Sequence, residues 1–236
     1  MRFKILTLFP EMFPGPINHS IIGKALKKKK FHLETINIRD FSINKAKTVD
    51  DTPFGGGAGM IIKPDILQNA LNFAKKGFKK NCKIFSLSPR GKKITQNFIK
   101  NLVSSREIIL ICGRYEGIDQ RFIDYNDIEE VSVGDYILSG GEIASFILID
   151  ACVRLIPEVL GNSESLRSES FHDSLLEYSQ YTKPSIWKKL KVPEVLLTGN
   201  HKKISHWRLN NSLEKTKKIR PDLYKLFLKE KKGSYE

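Results

Sequence analysis

The chain has 236 residues, of which 40% are hydrophobic and 28% are charged, and its formal net charge is +14 with a pI near 9.6. This length suffices for a buried core in one large domain, or in a medium domain with a smaller appendage. The longest apolar run, which follows Glu142, is interrupted by Asp150 and Arg154, so it is too short to cross a bilayer. No signal-peptide layout is present at the N-terminus, and we expect a soluble cytoplasmic protein.

Cysteine and histidine usage argues against disulfide and metal sites. Cys82, Cys112 and Cys152 lie in apolar patterns without C-x-x-C spacing, which indicates reduced core residues. His201 and His206 are five residues apart and do not share a helical face. The sequence therefore predicts no metal ligands.

Positive charge is concentrated in the last quarter of the chain. Lys183–Glu236 contains 15 basic and 5 acidic residues and carries +10, whereas Met1–Thr182 carries +4. Part of the excess can reflect compositional bias, because 30 of the basic residues are Lys and 10 are Arg. We nevertheless favour a polyanionic partner, and nucleic acid in particular.

The first sixty residues predict a strand, a helix, a second strand and a long loop. Phe3–Leu8 is a strand candidate, Ile17–Lys30 has helical spacing, and Leu33–Ile38 alternates like a strand. The loop Asp40–Met60 ends in FGGGAGM, which lacks the Gly-Lys-Ser/Thr ending of a triphosphate-binding loop. A flexible loop near an active site is the better interpretation.

The middle of the chain alternates strands and helices. After a helix at Pro64–Lys76, strand and helix patterns follow each other through Lys83–Ser105 and Glu107–Asp124. Such alternation is typical of an α/β domain with a largely parallel sheet. Taken by itself, this alternation of strands and helices predicts an unknotted doubly wound sheet.

Three strand-to-helix connections carry small residues. They are found in Lys83–Lys92, Arg106–Arg121 and Glu129–Arg154. In the third, a strand at Val131–Val133 and a turn precede Tyr136–Leu138, and Ser139 is a candidate cap for a buried helix from Glu142 to about Arg154. One such loop would indicate a tight connection alone, but three can wall one ligand pocket at the carboxyl ends of parallel strands.

The C-terminal part predicts a linker and a helical domain. Gly161–Ser174 holds five serines and no apolar pattern, which is typical of a mobile linker. Thr198-Gly199-Asn200 predicts the start of a basic helix at Lys202–Lys218, followed by another at Pro221–Lys231. We therefore divide the chain into an α/β domain (1–160), a linker (161–174) and a helical RNA-binding domain (175–236).

Several motifs together resemble one family. In chain order they are LFPEMF (Leu8–Phe13), DDTPFGGGAGM (Asp50–Met60), LSPRGK (Leu87–Lys92), CGRYEGID (Cys112–Asp119), VGDYILSGGE (Val133–Glu142), LLTGNH (Leu196–His201) and HKKISHWR (His201–Arg208). This set resembles the bacterial tRNA (guanine-N1)-methyltransferases that use S-adenosylmethionine, the TrmD family of the SPOUT superfamily. The resemblance covers about the whole chain.

The family resemblance implies a fold, a substrate and partners. It implies an α/β fold with a parallel sheet and a deep trefoil knot formed by Lys83–Arg154, plus a small C-terminal helical domain. It also implies a homodimer with each site built from both subunits, and a tRNA methylated at the guanine on the 3′ side of the anticodon. Magnesium is associated with the family's reaction, although no ligands for it are identified here.

The resemblance also assigns site residues. For binding of S-adenosylmethionine it implies Leu87, Ser88, Gly113, Glu116, Gly117, Val133, Gly134, Asp135, Tyr136, Ile137, Leu138, Gly140 and Gly141. For binding of RNA we predict Ser165 of the linker and the outward-facing Lys203 and Arg208 of the basic helix. Glu116 is the charge best placed to attract a sulfonium or amino group, and a helix-capping role is the alternative.

Methylation of guanine N1 needs a base for the N1 proton and a cation for the charge that spreads to the neighbouring oxygen. The resemblance places the base at Glu169 and the cation at Arg154. The family usually carries Asp at the first position, and Glu is one methylene longer. The alternatives are a solvated linker charge at Glu169 and an ion pair of Arg154 with Asp150.

Two other functions remain open from the sequence. The chain can be a knotted-fold RNA methyltransferase with another target base or a ribose, or a non-catalytic RNA-binding or nucleotide-sensing protein. The methylated nucleoside distinguishes the first alternative, and a methyl-transfer assay distinguishes the second.

Overall fold

A computed structural model describes residues 1–161 and 169–232 of the chain. The chain separates into two compact units, Met1–Gly161 (the first unit) and Asn162–Glu236 (the second unit). Each unit is described by itself below.

The first unit is built on a parallel sheet. Its strands are β1 (Arg2–Thr7), β2 (His32–Asn37), β3 (Asp50–Asp51), β4 (Ile61–Ile62), β5 (Lys83–Lys93), β6 (Glu107–Cys112) and β7 (Glu129–Ser132). Five of them form the sheet in the order β2-β1-β6-β5-β7, and every neighbouring pair is parallel. The short strands β3 and β4 form a separate antiparallel pair. The predicted α/β class with a parallel sheet is confirmed.

Helices cover both faces of this sheet. They are α1 (Ser20–Lys27), α2 (Pro64–Lys75), α3 (Gln96–Val103), α4 (Gln120–Tyr125) and α5 (Gly141–Val153). Apolar side chains of α1, α3 and α5 pack with one face of the sheet, and those of α2 and α4 pack with the other. The central strand β6 contributes to both layers: Leu110 belongs to the first core and Ile109 to the second. This position explains its unbroken apolar sequence.

The third connection differs from its prediction at two points. The strand predicted at Val131–Val133 is observed as β7 at Glu129–Ser132, so Val133 lies outside it and begins a bend. Ser139 does not cap α5, because the N-cap is Gly140 and the carbonyl of Ser139 accepts a hydrogen bond from Arg114 (3.1 Å). Ser139 is therefore held by the distant Arg114 side chain, and the side-chain cap that the local sequence suggested does not form.

Strand β5 is longer than its apolar stretch. Residues that were predicted as a loop resume pairing with β7, with Lys92 opposite Val131 and Lys93 opposite Ser132. The register shifts between Leu87 and Lys92, so the intervening residues bulge away from the ladder. This bulge forms one rim of the carboxyl edge of the sheet.

The second unit is mainly helical in its described part. It contains a hairpin of β8 (Ile186–Trp187) and β9 (Leu190–Lys191), followed by α6 (His201–Ile219) and α7 (Pro221–Lys232). The side chain of Asn200 accepts a hydrogen bond from the Lys203 amide (3.1 Å), as expected of an N-cap. Thr216 is fully buried, and its hydroxyl accepts from the amide of Leu176 (2.9 Å). A polar side chain thus holds the segment before the hairpin against α6.

Thiol chemistry gives a first test of this fold. Burial raises the pKa of the Cys152 thiol to about 12, and burial beside Glu142 raises the pKa of the Cys112 thiol well above its ordinary value. Partial burial also raises the pKa of the Cys82 thiol, but this side chain is only half-buried and is accessible to a reagent. Because the thiolate is the reactive form, we expect the folded protein to react with a disulfide reagent at Cys82 alone, and at all three cysteines after denaturation. Rapid reaction of two or more thiols in the folded protein would contradict this packing.

Within the described ranges, no helix is long and apolar enough to cross a membrane. In the same ranges, no three His, Cys, Asp or Glu side chains form a group that could hold a metal ion.

Candidate active site

A cavity of about 320 Å³ lies at the carboxyl ends of β5, β6 and β7. The connections that follow these three strands form its walls. The lining residues are Ser86–Arg90, Gly113–Ile118, Glu130–Gly134, Tyr136–Gly141 and Ala144. The crevice beyond the carboxyl ends of parallel strands is where open α/β sheets bind ligands, and this volume is within the usual range for small-molecule sites.

The structure brings together nearly all of the residues predicted to bind a methyl donor. Of those thirteen residues, twelve line the cavity. The exception is Asp135, which points away into an exposed ion pair with Lys93 (2.7 Å). The geometry places the twelve side by side, while their role in binding S-adenosylmethionine stays a prediction.

The start of α5 closes one side of the cavity by direct backbone contact. The Gly141 amide donates to the carbonyl of Gly113 (3.0 Å). A Cβ atom on Gly141 would lie 2.7 Å from the Cα of Cys112, which real Cβ atoms essentially never do. Glycine is therefore required here, because the helix begins against the end of β6.

The glycine-rich loop, the FGGGAGM segment at Phe54–Met60, lies at the rim of the cavity. The Glu116 amide donates to the carbonyl of Met60 (3.0 Å), and a Cβ on Gly59 would lie 2.4 Å from the Cγ of Glu116. Gly59 also has φ of +91°, which disfavours side chains. Among the described residues Glu116 forms no ion pair, whereas Arg90, in the wall formed by β5, pairs with Glu130 (3.1 Å). Glu116 is thus available to a cationic ligand group.

A buried charge network supports the cavity from behind. Glu142 is fully buried, and its carboxylate accepts from the Thr7 hydroxyl (2.7 Å) and from Nε of Arg114 (2.8 Å). The Arg114 guanidinium also stacks 4.5 Å from the ring centre of Phe9. This network joins the ends of β1 and β6 to the first turn of α5, so it fixes the geometry of two cavity walls.

Sequence reasoning missed most of this network. Glu142 was placed near the positive end of a helix, but its partners Thr7 and Arg114 were not identified. The signal that was available is an acidic residue in the most apolar segment of the chain, because a buried carboxylate requires a cation or several donors.

The two predicted catalytic residues belong to different units. Arg154 is the C-cap of α5, and its amide donates to the carbonyl of Asp150 (3.1 Å). Burial raises the pKa of the Asp150 carboxyl, and the nearby Arg154 charge opposes that rise. Glu169 is half-buried in the second unit, where its carbonyl accepts from the amide of His172 (3.2 Å). Their joint role remains a prediction.

The predicted RNA-binding residues of α6 are both exposed. The guanidinium of Arg208 lies 4.8 Å from the ring centre of Tyr178. Lys203 lies in the first turn of the same helix. Ser165 lies outside the described residues.

A parallel sheet with a ligand-sized cavity at the carboxyl ends of its strands defines an α/β ligand-binding protein. The family model described as tRNA (Guanine-1)-methyltransferase TrmD matches residues 1–226. The chain belongs to this family.

Curated relatives are similar over nearly their whole length. The chain is 54% identical over 223 residues to a protein of Neorickettsia sennetsu, covering 94% of this chain and 98% of that protein. It is 50% identical over 226 residues to one of Pelagibacter ubique, covering 96% and 98%. It is also 50% identical over 225 residues to one of Anaplasma phagocytophilum, covering 95% and 96%. All three are named tRNA (guanine-N(1)-)-methyltransferase.

Proposed function

We propose that the protein transfers a methyl group from S-adenosylmethionine to N1 of guanine in tRNA, at the position on the 3′ side of the anticodon. The observation that carries the proposal is the cavity at the carboxyl edge of the sheet, lined by twelve of the thirteen predicted donor-binding residues. Family membership supports the same reaction, because the relatives carry this activity in their names.

The cavity suits S-adenosylmethionine in size and chemistry. Three walls of mostly uncharged residues supply backbone amides and carbonyls that can read the edge of an adenine ring. The carboxylate of Glu116 has no ion-pair partner among the described residues and can attract the cationic amino or sulfonium group. Bound there, the donor supplies an electrophilic methyl group.

The protein's own residues would prepare the nucleophile. The carboxylate of Glu169 would remove the proton from guanine N1, which would leave an electron pair on N1 for the electrophilic methyl group that the donor would supply. Arg154 stabilises the negative charge that spreads onto the neighbouring carbonyl oxygen. The products are 1-methylguanine and the neutral thioether, and Glu169 keeps the proton until solvent takes it.

The second unit is proposed to hold the tRNA. Its charge is the support, because Lys183–Glu236 carries +10 and attracts phosphates. Lys203 and Arg208 of α6 and Ser165 of the linker are the residues we assign to this contact. A substrate guanine in a loop is easier to extrude than one in a duplex. A tRNA substrate also implies a cytoplasmic location.

We further propose a homodimer in which Glu169 of one subunit serves the cavity of the other. Light scattering under assay conditions tests the dimer, because an active monomer would contradict it.

We also propose that Lys83–Arg154 forms a deep trefoil knot. Helix α5 returns to the end of β6 after the chain has passed through β7 at the sheet edge, and this path supports the threading. Magnesium is proposed as a possible participant through the family alone.

Labelled methyl transfer to unmodified tRNA, followed by nucleoside analysis, tests the reaction. We expect 1-methylguanine in a transcript with guanine on the 3′ side of the anticodon, and none when that guanine is replaced. A different methylated nucleoside would indicate another target. Binding of S-adenosylmethionine without turnover would indicate a non-catalytic protein.

The cavity itself can be tested by filling it. A Cβ atom on Gly113 would meet only the Ile118 side chain, at 3.7 Å, so Gly113→Val should fold but narrow the donor site. We expect affinity for S-adenosylmethionine, measured by calorimetry, to fall by about 10-fold or more, since overpacking in a site typically costs about 1–3 kcal/mol. The matched control is Gly161→Val, which adds the same side chain at an exposed site with no atom within 4 Å. Equal donor affinity in the two variants would remove the donor from this cavity.

A further inference from the structure

The short hairpin of the second unit has a composition that its fold does not require. The basic hairpin, defined here as Ile186–Lys191, contains three lysines and no acidic residue. Its strands pair antiparallel, with Trp187 opposite Leu190 and Ile186 opposite Lys191. All six residues are exposed, and Trp187 and Leu190 keep 60% and 68% of their surface accessible. A large apolar pair left this open contributes little to a core.

The turn of the basic hairpin is unusual as well. Its two central residues are Lys188 and Lys189, with φ of +47° and +66°. Two positive φ values suit a two-residue hairpin, but Asn and Gly adopt them much more readily than Lys. Lysines at both positions are therefore a local cost to stability, and such outliers point to a function.

Aromatic and cationic groups are already associated in the hairpin. The ammonium of Lys188 lies 5.0 Å from the ring centre of Trp187. Because side chains alternate along a strand, Trp187 and the opposite Leu190 share one face of the ribbon. An indole with one ammonium at its ring, on a hairpin that carries two further lysines, offers a stacking surface for an unpaired base and cations for the phosphates on either side of it.

We propose that the basic hairpin is a second tRNA contact, which stacks an unpaired base on Trp187 and binds adjacent phosphates through Lys188 and Lys189. This inference rests on the proposed tRNA substrate. We favour RNA over a lipid surface as the partner, because the positive charge is not limited to the hairpin. The whole segment Lys183–Glu236 carries +10, and a long cationic segment suits a chain of phosphates. Loop nucleotides are favoured over a duplex, because only unpaired bases expose a face for stacking.

A turn-preserving variant isolates the charges. Lys188→Asn with Lys189→Gly removes two charges and installs the residues that this turn favours, so the fold should be retained. We expect weaker binding of unmodified tRNA transcript and a salt dependence lower by about 1.4 in log–log slope, since each single-strand phosphate contact contributes about 0.7. The charge-matched control is Lys79→Gln with Lys80→Gln, two exposed lysines of the first unit, which should leave the affinity and the slope unchanged.

A second pair of variants isolates the stacking. Trp187→Ala should weaken tRNA binding by about 5- to 150-fold, since stacking on one base contributes about 1–3 kcal/mol, whereas Trp187→Phe should retain most of the affinity. Affinity for S-adenosylmethionine should stay at the wild-type value in both. Wild-type tRNA affinity and slope in the hairpin variants would overturn the proposal. A second result would also overturn the proposal: the hairpin variants no longer sediment with vesicles of phosphatidylserine and phosphatidylcholine, although they bind tRNA as the wild type does. That result would assign the hairpin to a membrane surface.

The failure of this inference and of the proposed reaction can be told apart. If wild-type protein binds tRNA through the hairpin but forms no 1-methylguanine, the proposed reaction fails and the hairpin contact stands. If wild-type protein forms 1-methylguanine and the hairpin variants match it in tRNA affinity and salt dependence, the reaction stands and the hairpin contact fails.

Discussion

Glu169→Gln is expected to lower the rate of methyl transfer to tRNA by about 10²- to 10⁴-fold, because the neutral amide cannot accept the proton of guanine N1. The amide has nearly the same shape as the carboxylate, so folding should be unaffected. Affinity for S-adenosylmethionine should change little, since the proposed role of Glu169 is to take the proton of guanine N1 and not to contact the donor. Single-turnover kinetics with labelled donor and saturating tRNA measure the chemical step directly.

Glu169→Asp is the matched control, because it shortens the side chain by one methylene and keeps the carboxylate. The family usually carries Asp at this position, so we expect this variant to retain substantial activity. Unchanged turnover in Glu169→Gln would remove Glu169 from the mechanism. Equal loss in both variants would instead indicate that the side chain is needed for the geometry of the linker and not as a base.

The sequence predicted the class of fold and the region of the site because both depend on local patterns. The uninterrupted apolar residues of β6 identify a strand buried on both faces, and that alone favours a parallel sheet. The small residues after β5, β6 and β7 could be assigned to one cavity, since parallel strands end at the same edge. Asn200 capped its helix as predicted, because a cap needs only its neighbours.

Features that depend on distant residues were missed. The sequence gives no sign that Thr216 of the basic helix is buried, yet this side chain is fully buried and accepts a hydrogen bond from the amide of Leu176. The partners of Glu142 lie 28 and 135 residues away in sequence, so no periodicity could identify them. The proposed knot would likewise be a property of threading, and the periodic pattern is the same with or without it.

The network behind the cavity gives the second large effect. Arg114→Ala should lower the free energy of unfolding by about 3–5 kcal/mol, because it leaves the fully buried carboxylate of Glu142 without its cation. Glu142→Gln should cost less, since the Arg114 side chain is 18% exposed and can be solvated while the amide still accepts from Thr7. Urea unfolding of each variant measures these differences.

The double variant Arg114→Ala with Glu142→Gln separates loss of the pair from loss of packing. Because it no longer buries an uncompensated charge, it should be more stable than Arg114→Ala alone, even though it carries one more substitution. Affinity for S-adenosylmethionine should follow the same order, since Gly140 and Gly141 are held against the end of β6 by this network. The alternative outcome is that the loss of unfolding free energy in the double variant equals the sum of the losses in the two single variants. In that case the ion pair does not couple the two cavity walls, and the cavity must be shaped by packing alone.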